Sequence, residues 1–160
     1  MKYIVGVADM TVSQDKEDLI VTHALGSCLG ITIYDPVVNV GGLLHVMLPD
    51  SSIDAAMAQE KPHMFVDTGV PKLFRECYAL GAVKERLEVK VAGGACASGE
   101  AENDIFQIGK RNFLTLRKLL WKNGVLLKAH DVGGSGSRTM SIEISTGAVA
   151  VKSAGKETSL

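Results

Sequence analysis

Apolar and polar positions along the chain follow two rhythms. Short runs rich in apolar and β-branched residues predict strands at Tyr3 to Ala8, Leu19 to His23, Leu29 to Tyr34, Gly42 to Leu48, Leu87 to Val91, Val125 to Ala129, Met140 to Ile144 and Ala148 to Val151. Thr139-Met-Ser-Ile-Glu-Ile alternates polar and apolar with period two, and Ser145-Thr-Gly147 reads as the hairpin turn after it. Two stretches switch to helical spacing. Val66, Val70, Leu73, Phe74, Cys77 and Leu80 make one apolar stripe of a helix from about Asp67 to Leu80. Asp67 is placed to cap it, Pro71 comes early enough to be tolerated, and Gly81 can end it. Phe113, Leu116, Leu119 and Leu120 make the stripe of a second helix from about Gly109 to Lys122, with lysines at the favourable end and Asn123-Gly124 closing it. Each stripe needs an apolar surface to cover, which a mixed or antiparallel sheet supplies.

Pro49 to Pro62 lacks periodicity and reads as a mobile surface loop directly after a strand. Ala92 to Glu100 reads as a second irregular segment, and the residues from about Lys152 onward are expected to fray. At 160 residues the chain is expected to form one domain, 1–160, with a core of its own. The formal charge of -1 supplies no basic field and aromatics are only 5% of residues, which argues against a nucleic-acid partner. The opening residues reach Asp9 too soon for a secretory signal, and no run approaches the length of a membrane span. A cytoplasmic protein without membrane insertion is therefore expected, with Cys28, Cys77 and Cys96 as free thiols.

Candidate chemistry centres on Cys28. It ends the stretch Thr22-His-Ala-Leu-Gly-Ser-Cys28 at the head of one predicted strand, and His45 lies inside the next. The two can meet across a sheet, where an imidazolium would stabilise the thiolate and lower the thiol pKa. Thr22 is placed to accept the other ring N–H, and the Gly26-Ser27 turn could offer backbone N–H groups to an oxyanion. The same residues also suit a packed thiol and a hydrogen-bonded core histidine, and the spacing leaves both open. His23 should point to the face opposite Thr22, and Cys77 belongs to the helix stripe. Cys28, His45 and Cys96 could in principle hold a metal, but no CxxC or HxxxH spacing supports it. Gly93-Gly94 and Gly133-Gly-Ser-Gly-Ser-Arg138 open no helix, so neither is a dinucleotide or phosphate fingerprint. Arg138 could hold a loop carboxylate or touch a polypeptide. With Ser135 and the 49–62 loop it is a candidate for the rim of a site.

Several blocks together resemble one family over nearly the whole chain: Thr22-His-Ala-Leu-Gly-Ser-Cys28, His45-Val-Met-Leu-Pro49, Gly93-Gly94, Ile108-Gly-Lys-Arg-Asn112 and Gly133-Gly-Ser-Gly-Ser-Arg138. The chain is similar to the chemoreceptor glutamine deamidases, the CheD family. That resemblance implies Cys28, His45 and Thr22 as a catalytic triad with no metal or organic cofactor. It implies receptor glutamines as substrate, some esterase action on methylated glutamates, and in many members the phosphatase CheC as a partner. It also implies an α/β (α+β) fold, a layered β-sandwich core covered by two main helices, like that of toxin deamidases with a catalytic cysteine. A non-catalytic regulator that binds a phosphatase or receptor is the competing reading.

Overall fold

The computed structural model describes residues 1–96 and 107–160. Residues 97–100 of the second irregular segment lie outside the described residues. The strands are β1 (Lys2–Val5), β2 (Asp9–Ser13), β3 (Leu19–Leu25), β4 (Leu29–Asp35), β5 (Val40–Val46), β6 (Glu88–Gly93), β7 (Leu127–Val132), β8 (Arg138–Glu143), β9 (Val149–Ser153) and β10 (Lys156–Ser159). The helices are α1 (Ala55–Glu60), α2 (Val66–Ala79) and α3 (Ile108–Lys122). Among the described residues the strands form two five-stranded sheets, ordered β1-β3-β8-β9-β10 and β2-β5-β4-β6-β7. Both are mixed: β1 runs parallel to β3 and β6 parallel to β7, and the remaining pairs are antiparallel.

Strand alternation divides the second sheet between two cores, and the architecture is α+β. Leu29, Ile31, Ile33, Leu44 and Val46 turn to one face and pack with Val66, Val70, Leu73 and Cys77 of α2 and Leu116 and Leu120 of α3. Tyr34 and Leu43 turn to the other face and meet Ile20, Leu25, Met140 and Ile142 of the first sheet. The layers therefore run sheet, sheet, helices, with the sheet containing β4 and β5 in the middle. Each buried Leu or Ile in these layers contributes about 1.5–3 kcal/mol. Both long helices end as the sequence indicates. The N–H of Gly81 bonds Tyr78 O at 3.0 Å and that of Ala82 bonds Cys77 O at 3.1 Å, while Gly124 and Val125 repeat the pattern on Trp121 O and Leu120 O at 3.1 and 2.9 Å. Gly81 and Gly124 take the positive φ that this closure needs, +104° and +69°.

Four local expectations change. The run predicted from Tyr3 to Ala8 breaks after Val5, Ala8 takes φ +57°, and the chain crosses to the other sheet to form β2. The 49–62 segment is largely helical: Asp54 caps α1 by accepting from Met57 N at 3.0 Å, and 3-10 turns at Ser51–Ile53 and Pro62–Met64 flank it. Asp67 does not cap α2. Phe65 occupies the cap position, and the Asp67 carboxylate instead takes Ser51 N at 2.9 Å and Ser51 Oγ at 2.7 Å, tying this segment to the helix. The tail expected to fray from Lys152 is paired. β10 lies antiparallel to β9, and Leu160 N bonds Val149 O at 2.9 Å while its carbonyl accepts from Lys90 Nζ at 2.8 Å.

Candidate active site

Register places the candidate pair on one face. In the β4–β5 ladder Gly30 faces His45, and Cys28 lies two residues before Gly30, on the same side of the sheet. Cys28 and His45 are thus diagonal neighbours, a spacing of ~7–8 Å between backbones that side chains can bridge. Both point between the two sheets. Gly30 is bare because Leu25 and Met140 of the opposite sheet occupy the space a side chain would need, each 2.9 Å from an added Cβ. This close approach at Gly30 lets a side chain of one sheet reach a side chain of the other.

Thr22 of β3 makes that crossing. Its Oγ1 lies 2.7 Å from His45 Nδ1 and its hydroxyl donates to Val5 O at 2.7 Å. The hydroxyl proton is committed to Val5, so the oxygen can only accept from the ring, which places the proton on Nδ1. Nε2 is then a bare lone pair, and it is buried without a hydrogen-bond partner. His23 is exposed, on the side opposite buried Thr22, 3.2 Å from Thr139 Oγ1.

Between these residues β3 is bulged. Its register slips between Thr22 and Leu25, and Ala24 takes φ +59°, a conformation costly for any residue with a Cβ. The bulge re-aims the chain into the Gly26-Ser27 turn that presents Cys28. The turn's amides are not equivalent. Gly26 N–H already bonds Ala24 O at 3.1 Å, which removes it as the oxyanion donor anticipated from sequence. Among the described residues no backbone carbonyl takes the N–H of Ser27 or Cys28.

Burial decides the protonation of the pair. It raises the Cys28 thiol above its ordinary value, against the pull of its own backbone N–H, and it lowers His45. Both shifts run toward the neutral forms, against the thiolate–imidazolium pair that the residue types suggest, because desolvation disfavours both charges.

Two further residues shape the site. Asn112 of α3 is fully buried and its Nδ2 donates to Ser27 O and to Met47 O, both at 3.0 Å. One side chain thus ties the cysteine turn to the exit of the histidine strand. Sequence reasoning gave it no role, although a signal was present: Asn112 falls between Gly109 and Leu116 on the buried side of an otherwise apolar helix stripe. Gly93 takes φ +114°, and a Cβ there would collide with Cys28 O, while Gly94 N bonds that carbonyl at 2.9 Å. Only glycine lets β6 approach the cysteine so closely.

The expected rim is not one surface. Arg138 is buried. It donates to Gly93 O at 3.1 Å and Gly133 O at 2.7 Å and pairs with Asp131 at 3.4 Å, so it braces the glycine loop from within and cannot serve as an exposed contact. Ser135 is exposed on that loop. Gly133 and Gly134 line a cavity of about 420 Å³ with Gly94, Ala95, Cys96 and Phe113. Cys77 is buried and its thiol is pushed up to about 12, so it is inert packing. Among the described residues no helix is long and apolar enough to cross a membrane.

Residues 47–153 match the family model described as CheD chemotactic sensory transduction. A protein of Syntrophus aciditrophicus named as a probable chemoreceptor glutamine deamidase is 51% identical, over 95% of this chain and 94% of its own. Similarly named proteins of Solibacter usitatus and Pyrococcus abyssi are 50% and 43% identical, over 98% and 92% of this chain and 92% and 89% of theirs. A solved structure of a Neisseria meningitidis protein of family DUF152 aligns with TM-score 0.44 at 9% identity, over 83% of this chain and 63% of the other, a likeness too slight to bear on function. On the family match and near-complete alignment with these relatives, the chain belongs to the CheD family.

Proposed function

We propose that this protein is a protein-glutamine deamidase acting on chemotaxis receptors, with Cys28 as nucleophile, His45 as base and acid, and Thr22 as the residue that orients His45. The observation that carries the assignment of roles is the Thr22–His45 bond of 2.7 Å. It fixes the proton on Nδ1 and leaves Nε2 unprotonated on the face that Cys28 shares.

Both shifts run toward the neutral forms, so proton transfer accompanies attack. His45 Nε2 takes the thiol proton as Sγ bonds to the Cδ carbonyl carbon of a receptor glutamine. The charge that develops on the oxygen is received by the N–H groups of Ser27 and Cys28. Protonated His45 returns its proton to the leaving nitrogen, the C–N bond breaks and ammonia departs. Neutral His45 then draws a proton from water, which attacks the thioester, and protonates Sγ as it leaves. The sum is glutamine plus water giving glutamate plus ammonia. Thr22 holds the ring through both halves, accepting from Nδ1–H throughout.

The same attack on a methylated glutamate would release methanol, and we infer esterase activity alongside deamidation. A cytoplasmic location, the phosphatase CheC as a partner and a fold shared with toxin deamidases belong to the same proposal, supported by family membership. Intact-mass measurement of a receptor cytoplasmic fragment tests the reading. Each turnover adds about one dalton as NH₂ becomes OH, and Cys28→Ala should add none. A fragment bound by the wild-type protein but unchanged in mass would favour the non-catalytic regulator.

A further inference from the structure

The buried side of α3 reads Gly109, Asn112, Leu116 and Leu120. Its opposite side is exposed and carries both cations and large apolar groups. Arg111, Leu114, Arg117, Lys118 and Trp121 are exposed and follow spacings of three and four, so they form one straight stripe. Trp121 is 84% exposed and Leu114 49%, and Leu126, just beyond the helix, is 86% exposed. Large apolar groups this bare, ringed by cations, mark interaction sites. Arg111, Leu114, Arg117, Lys118 and Trp121 border a groove whose near wall is Pro49 and Asp50, the residues that leave the His45 strand.

The charge of this face is one-sided. α3 carries Lys110, Arg111, Arg117, Lys118 and Lys122 and no acidic residue, in a chain whose net charge is -1. Among the described residues Asp50 is the single carboxylate bordering the groove, and it faces Arg111 at the near end. Among the described residues no carboxylate forms an ion pair with Arg117, Lys118 or Lys122.

The groove is joined to the site through shared backbone: Asn112, on the buried side of α3, bonds Ser27 O of the cysteine turn and Met47 O, and Pro49 and Asp50 follow Met47 into the groove wall. Asn112 grips the cysteine turn at the start of α3, and Trp121 lies nine residues further, ~14 Å along the axis. We propose that this stripe is the track on which a carboxylate-bearing helix of the substrate protein lies while its glutamine reaches Cys28. The proposal rests on the deamidase reading. Trp121 and Leu114, seven residues apart, would anchor apolar positions of the incoming helix, and Arg117 and Lys118 between them would pair with its carboxylates. The substrate's acidic residues should then fall within ~9 residues, or two to three helical turns, of the modified glutamine.

Trp121 is the only tryptophan in the chain and reports directly on the groove. The experiment titrates a tryptophan-free receptor cytoplasmic fragment into the Cys28→Ala protein, and measures deamidation by the otherwise wild-type protein and by the Arg117→Glu/Lys118→Glu double variant. Docking on the stripe predicts a blue shift of Trp121 emission. It also predicts about a tenfold rise in KM for the double variant at low salt, with kcat and the Cys28 alkylation rate kept and the difference shrinking as salt is added. Equal KM values, or Trp121 emission unmoved at saturating fragment, would overturn the track while leaving the deamidase standing. No mass change with the wild-type protein would remove the deamidase reading and the track with it. A blue shift with anionic phospholipid vesicles but none with the fragment would overturn the proposal in favour of a lipid surface.

Discussion

Thr22→Val is the sharpest single test of the site, since it keeps the shape of the side chain and deletes only the hydroxyl. In the folded protein that hydroxyl serves two bonds of 2.7 Å, donated to Val5 O and accepted from His45 Nδ1–H. Both partners are buried, and each is left without its bond at a cost of about 1–3 kcal/mol. The variant should therefore lose roughly 2–6 kcal/mol of stability, a fall in melting temperature on the order of 10 °C for a chain of this size. Nothing then holds the proton on Nδ1. A ring that turns or shifts its proton to Nε2 cannot accept from Cys28, and losing about 1–3 kcal/mol of orientation corresponds to ~5–150-fold in kcat/KM. Thr22→Ser restores the hydroxyl and should recover most of the activity, with a stability loss of about 1 kcal/mol for the missing methyl. The assay is intact-mass kinetics on a receptor fragment, joined to nitrogen NMR of the His45 ring. Wild-type protein with Nε2 protonated, or Thr22→Val with kcat/KM within about twofold of wild type, would refute the reasoning whatever the stability change.

Burial raises Cys28, so with Cys77 and Cys96 replaced its alkylation rate should keep climbing through and beyond the ordinary cysteine range, and a plateau reached near pH 6 would reveal a preformed thiolate. The folded state depresses His45, so its contribution to stability is fully present above the unfolded value of about 6.5 and is lost as pH falls through the folded one; denaturant melts across pH should show a shallower acid loss in His45→Gln. Asn112→Ala strips the donor from Ser27 O and Met47 O and should cost about 2–4 kcal/mol by denaturant titration, with a fall in kcat exceeding any change in KM. Arg138→Ala should lower the melting temperature, since it removes the donor of Gly133 O at a cost of about 1–3 kcal/mol while Gly93 O keeps the N–H of Gly133, and a normal melt would show the brace is dispensable.

What the sequence determined by itself was whatever is written in local periodicity. The stripes of α2 and α3 and their glycine stops were legible because a helix face repeats every three to four residues and its C-cap needs a positive φ. The hairpin at Ser145 to Gly147 was legible for similar reasons, and Gly147 takes φ +76° against the ring of Tyr34. Cys28, His45 and Thr22 could be singled out because a cysteine at a Gly-Ser turn heads one predicted strand, a histidine lies in the next, and a threonine sits on the strand leading into the turn. The sequence carried less where a residue's partner is distant. The break between β1 and β2 and the pairing of the tail as β10 depend on which strand each edge meets. Arg138 looked like a rim residue from its glycine-rich flank, and only the folded chain brings the carbonyls of Gly93 and Gly133 to its guanidinium. Asn112 reaches Ser27 across 85 positions and Met47 across 65, and no local pattern encodes those bonds. The protonation of the site was likewise decided by tertiary structure. A cysteine beside a histidine suggests an ion pair in water, but enclosure between two sheets withdraws solvent from both groups and favours their neutral forms.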